Sequence, residues 1–85
     1  MTTETLATIL RDMCKSASKD EKTETIHLFG IIYASELNKE GISVKDVVNK
    51  SDIEESYHVE VSKGIRLSKY IETVKYKGVL IKFPI

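Results

Sequence analysis

The stretch from residue 43 to residue 64 constrains the fold of this chain more than any other part of the sequence. Ser43 and Asp46 stand three positions apart, the spacing of a capping box at the start of a helix. Polar Ser51 and Asp52 interrupt the pattern shortly afterwards and indicate a turn. The short helix between these signals would bury three valines, Val44, Val47 and Val48.

A second helix follows this turn in the same stretch. Ser51 and Glu54 repeat the capping pattern at its start, and Gly64 is expected to end it, because glycine accepts the left-handed conformation of a helix C-cap. The stretch therefore predicts two short helices joined by a tight turn, the supersecondary structure called a helix-turn-helix.

Two further helices are predicted upstream of this unit. The first should run from an N-cap at Thr3 to about Ser16, since its apolar residues recur at helical spacing. The second should open with a capping box formed by Ser18 and Glu21 and end at Gly41. These two helices would support the helix-turn-helix.

The second helix carries apolar residues on nearly every side. A helix of this kind lies at the centre of a core or is covered by a partner. Gly30 lies within it and costs about 1 kcal/mol in helix propensity, so we expect another backbone to approach closely there. The apolar positions are Ile26, Leu28, Phe29, Ile31, Ile32, Tyr33 and Leu37.

The end of the chain changes from helical spacing to alternation. A short helix from Ser68 to Glu72 is followed by alternating β-branched and aromatic residues over 73–83, which predict extended strand. Lys77 and Gly78 would form the turn of a hairpin; alternatively, the segment is one extended arm. An isolated hairpin is marginally stable, so it must pack on the helices or on a second chain, which suggests a homodimer.

The predicted fold class is mainly α: four to five short helices with a helix-turn-helix and a C-terminal strand or hairpin that would form a wing. The 85 residues make one domain, with 1–42 as a two-helix support, 43–64 as the helix-turn-helix and 65–85 as a short helix and β tail. A single cysteine, Cys14, and the lack of signal-peptide and membrane-spanning patterns fit a cytoplasmic protein without a membrane partner.

Residues 52–64 resemble the second half of the helix-turn-helix in the phage-repressor-like (Cro/C1, XRE-type) family. Ile53 provides the aliphatic position, Ser56 and Tyr57 the Ser-Tyr pair, and Lys63 with Gly64 the closing basic-glycine pair. The resemblance implies that the second helix enters the DNA major groove. The sequence departs from the family at three kinds of position: Asp52 replaces the turn glycine, His58 an aliphatic residue, and Glu54, Glu55 and Glu60 the polar or basic residues of the recognition helix.

Basic residues accumulate towards the end of the chain. From residue 62 onward six basic side chains stand against one acidic side chain, Glu72, and such an excess attracts phosphates. The sequence thus predicts a small transcriptional regulator that binds double-stranded DNA. The expected contact residues are Ser56, Tyr57, Glu60, Lys63, Arg66, Lys69, Lys45 and Lys50, with Glu60 as an acceptor for a cytosine amino group.

The three glutamates of the second helix also favour a different function. Carboxylates are repelled by phosphates, so the unit could be a protein-interaction or dimerisation module that keeps the framework and does not bind DNA. Its contact would be the second helix of the chain or an exposed strand at 79–83. The sequence shows no nucleophile–base pair, phosphate loop or zinc-ligand spacing, so we expect no enzyme, metal, cofactor or small-molecule substrate.

Overall fold

The computed structural model describes residues 1–83 and shows a mainly helical domain that ends in an antiparallel hairpin, which confirms the predicted fold class. The last two residues of the predicted β tail, 84 and 85, lie outside the described residues. The helices and strands are α1 (Thr3–Ser16), α2 (Lys22–Ile32), α3 (Ala34–Leu37), α4 (Val44–Lys50), α5 (His58–Leu67), β1 (Thr73–Tyr76) and β2 (Val79–Lys82). Single 3-10 turns occupy Lys19–Glu21, Glu55–Tyr57 and Ser68–Tyr70.

The first two helices begin and end at residues other than those predicted, because different local hydrogen bonds form at their ends. Thr2 caps α1, not Thr3: its hydroxyl accepts a hydrogen bond from the backbone N–H of Thr5 at 3.1 Å. Ser18 makes no side-chain cap, and a 3-10 turn leads into α2 instead. The predicted second helix is broken at Tyr33, before its expected end at Gly41, which does adopt a positive φ of 87°.

The core forms around α2, which is one of the two positions that its nearly all-round apolar surface allowed, the other being cover by a partner. Ile26 and Phe29 of this helix are fully buried. They pack in one cluster with Leu6 and Leu10 of α1, and with Val61 of α5. The buried valines Val47 and Val48 of α4 complete that cluster. The helix-turn-helix is therefore held on a scaffold made of α1 and α2.

The backbones of α2 and α5 approach each other closely where Gly30 faces Gly64. A Cβ atom added to Gly30 would lie 2.9 Å from the Cα of Gly64, and a Cβ on Gly64 would lie 2.9 Å from the Cα of Gly30. The expected close approach at Gly30 is thus confirmed. The prediction for Gly64 was wrong, because this residue lies inside α5 and not at its end.

Three polar residues set the start of α4 and the turn between α4 and α5. Ser43 caps α4 as predicted, accepting a hydrogen bond from the backbone N–H of Asp46 at 3.4 Å. Ser51 was expected to cap the next helix, but it is buried and its hydroxyl donates back to the carbonyl of Val48 at 2.7 Å. Asp52 then reverses the chain with φ at 65°, a conformation that Asp tolerates better than most residues.

The C-terminal segment forms the hairpin, not the extended arm. Val74 of β1 pairs with Ile81 of β2, and the turn is made by Lys77 and Gly78, both with positive φ as a type I′ turn requires. Val74 is buried, so the hairpin packs on helices of its own chain. Residues 75–77, near the hairpin tip, and the residues where α1 leads into α2 together line a cavity of about 290 Å³. Within residues 1–83, no helix has the length and apolar character needed to cross a membrane.

Candidate nucleic-acid interface

The second helix of the helix-turn-helix, α5, presents one side to the core and the opposite side to solvent. Val61 and Gly64 are buried against α2. The exposed side follows helical spacing and continues into the 3-10 turn at each end; we call it the outer face of α5. It consists of Ser56, Val59, Lys63, Arg66, Leu67 and Tyr70.

Glu60 is turned away from this face towards α2. Its carboxylate lies 2.6 Å from Nε2 of His27, and Nζ of Lys63 lies 3.5 Å away. Only 23% of its side chain is exposed. The hydrogen bond from His27 is the first cause that lowers the pKa of Glu60, and the charge of Lys63 lowers it further. This carboxylate is therefore already paired with side chains of its own chain. The sequence did not reveal its partner, because His27 lies 33 positions earlier in the chain.

We expect this pair to make stability depend on pH in the acidic range. A carboxyl group with a lowered pKa in the folded state stabilises the fold above its unfolded pKa, about 4.3, and that contribution is lost as pH falls through the folded pKa. Glu60→Gln should therefore be less stable than wild type at neutral pH, and the difference should shrink below about pH 4. The urea unfolding midpoints of the two proteins at pH 7, 5 and 3.5 measure this difference in stability.

A Glu40→Gln variant is the control for that measurement, because Glu40 is exposed in the loop before α4. The urea midpoint of this variant should equal that of the wild type at every pH. A wild-type-to-Glu60→Gln difference that stays constant from pH 7 to pH 3.5 would contradict the role given to the His27 contact.

Tyr57 does not share the exposure of the outer face. It is half-buried at the start of α5, and Nζ of Lys22 lies 5.0 Å from the centre of its ring. Such a cation–π contact links the 3-10 turn before α5 to the start of α2. Glu54 and Glu55, by contrast, are exposed at this end of the helix. The N-terminal end of α5 is thus acidic on its surface.

The C-terminal end of α5 is basic. Lys63, Arg66 and Lys69 are exposed and line an open groove of about 410 Å³ together with Leu67 and Tyr70. Nζ of Lys69 lies 5.2 Å from the centre of the Tyr70 ring. The structure therefore brings these three predicted contact residues together on one surface, whereas Ser56 lies in the 3-10 turn before the opposite end of α5.

The two predicted contact residues of α4 occupy a different position. Lys45 is exposed in the first turn of α4. Nζ of Lys50 lies 3.0 Å from Oε2 of Glu4 in α1, and this contact is the first cause that lowers the pKa of Glu4. An exposed pair of this kind contributes little stability, so Lys50 can exchange Glu4 for another anion.

Residues 1–83 contain no group of three or more histidine, cysteine or acidic side chains placed to hold a metal ion. The thiol of Cys14 is half-buried, and burial raises its pKa, so it is less reactive than a free thiol.

Comparison with known proteins places the whole helical part of the chain in one family. A family model described as an HTH-like domain matches residues 2–74, which include every helix and the start of β1. No curated protein and no solved structure gave a match. The more specific resemblance to Cro/C1, XRE-type repressors stays a prediction.

Proposed function

The chain belongs to the family of HTH-like domains, and from that premise we propose that it binds double-stranded DNA through the outer face of α5 and acts as a small transcriptional regulator. One observation carries the proposal: the charged residues exposed on that face, Lys63 and Arg66, are both basic, while Glu60 is turned aside and bonded to His27.

The roles of the contact residues follow from their positions on α5. Ser56 lies near the N-terminal end of the helix, the end that reads base edges in helix-turn-helix proteins. Lys63, Arg66 and Lys69 lie towards the other end, where long cationic side chains reach phosphates and fix the orientation of the protein. Lys45 would add a phosphate contact from α4.

A titration of mixed-sequence duplex DNA, followed by fluorescence anisotropy at several salt concentrations, tests the proposal. Four phosphate contacts, from Lys45, Lys63, Arg66 and Lys69, predict that log K falls with log salt concentration with a slope of about −3.6. Lys69→Gln should make the slope shallower by about 1, because it removes one contact. Lys19→Gln, an exposed change in the turn before α2, should leave the slope unchanged. Absence of binding even at low salt would refute the proposal.

A protein-interaction function is the second candidate, and specific observations favour it. Val59 and Leu67 on the outer face are 43% and 44% exposed, and Tyr70 is 77% exposed. The acidic start of α5 would meanwhile oppose phosphates. Failure of DNA binding at low salt, combined with self-association of the chain, would favour this candidate over the first.

A further inference from the structure

Three large apolar side chains are exposed along one face of α5. Val59, Leu67 and Tyr70 remain 43%, 44% and 77% exposed, whereas a solvent-facing helix surface is ordinarily polar. Leu67 and Tyr70 also line the groove of about 410 Å³ described above. Exposed apolar groups beside a groove mark a contact surface.

The charges on the same helix are divided between its two ends. Glu54 and Glu55 are exposed at the start, and the groove at the other end is bordered by Lys63, Arg66 and Lys69. If two copies of α5 lie antiparallel, the acidic end of each meets the basic end of the other. The surface is therefore complementary to itself, as a two-fold symmetric interface requires.

We propose that a second copy of this chain covers the outer face of α5, with the two helices antiparallel about a two-fold axis near Lys63. Val59 lies four residues before Lys63 and Leu67 four residues after it, so each Val59 meets the Leu67 of the other copy. Glu55 of each copy lies beside Lys69 of the other. Lys63 stands on the axis, where Glu60 of its own helix, 3.5 Å away, offsets the repulsion between the two lysines.

This dimer has a consequence for the proposed function, and that consequence rests on the proposed function being correct. The outer face of α5 cannot contact a second copy and DNA at the same time. Self-association would then hold the chain in a form that does not bind DNA, and a duplex would convert dimer to monomer as it binds.

Sedimentation equilibrium without DNA tests the dimer itself, up to a chain concentration of about 1 mM. Wild type should show a concentration-dependent dimer. Glu55→Lys and Lys69→Glu should each weaken it about tenfold or more, because like charges then face each other twice in the symmetric interface. An equimolar mixture of the two variants should associate again, since the lysine introduced in one variant then meets the glutamate introduced in the other. Circular dichroism verifies that both variants keep their helices.

Two remote variants control for the change in net charge. Glu40→Lys and Lys19→Glu alter exposed residues outside α5 and should each dimerise as tightly as wild type. A wild type that is monomeric at about 1 mM would overturn the proposal, and so would a mixture of Glu55→Lys and Lys69→Glu that associates no better than either variant alone. Because the experiment contains no DNA, its failure is distinct from a failure of DNA binding.

Discussion

Replacing Gly64 with alanine should destabilise the domain by about 2–3 kcal/mol, although alanine is favoured over glycine by about 1 kcal/mol inside a helix. The reason is the contact between α2 and α5. A Cβ atom on Gly64 would overlap the backbone carbonyl oxygen of His27 and lie 2.9 Å from the Cα of Gly30. Backbone atoms in two packed helices cannot move aside as a flexible side chain can, so the helices must separate.

Thermal unfolding followed by circular dichroism measures this effect. For a domain of this size, a loss of about 2–3 kcal/mol lowers the unfolding temperature by roughly 10–20 °C. Ser62→Ala on the same helix is the control, because it changes helix propensity without adding atoms at the contact; it should shift the unfolding temperature only slightly. A Gly64→Ala variant at least as stable as wild type would show that the two helices do not pack this closely.

A double variant, Lys63→Glu with Arg66→Glu, should weaken duplex binding by about a hundredfold at low salt. Both side chains lie on the outer face of α5, where reversal places two carboxylates opposite phosphates. Neither side chain belongs to the core, so unfolding temperature should change little. Anisotropy titrations of the two proteins on the same duplex measure the ratio.

The matched control is Lys19→Glu with Lys39→Glu, which changes net charge by the same amount away from α5. Lys39 lies beyond α3, where its Nζ contacts Glu36 at 2.8 Å, an exposed pair of little energetic weight. A purely non-specific attraction between the chain and DNA would weaken equally in both double variants. Equal losses of duplex affinity in the two double variants would therefore show that α5 does not form the interface with DNA.

The local parts of the structure followed from the sequence because their causes lie within a few residues. Ser43 caps α4 through the N–H of Asp46, three residues later. Asp52 supplies the positive φ of the turn, and Lys77 with Gly78 closes the hairpin. Alternation of apolar residues indicated the strand period, although it could not distinguish a hairpin from an extended arm.

Capping patterns were less reliable where two local hydrogen bonds compete. Ser51 matched a capping box, yet its hydroxyl bonds to the carbonyl of Val48 behind it. Thr3 was the predicted cap of α1, yet the neighbouring Thr2 is the residue that accepts from Thr5. Such choices differ by small energies, which packing around the helix ends decides.

The sequence by itself determined the helix-turn-helix and the basic end of the chain, because apolar periodicity and charge are properties of neighbouring residues. It left open whether α2 is central to the core or covered by a partner, and the structure places it in the core. Only the tertiary structure decided the roles of Gly64 and Glu60. Gly64 matched the local pattern of a helix end, but it is a contact point for Gly30. Glu60 matched an acidic recognition surface, but His27 turns it away. Both outcomes depend on residues more than thirty positions distant, which meet only when α5 packs on α2.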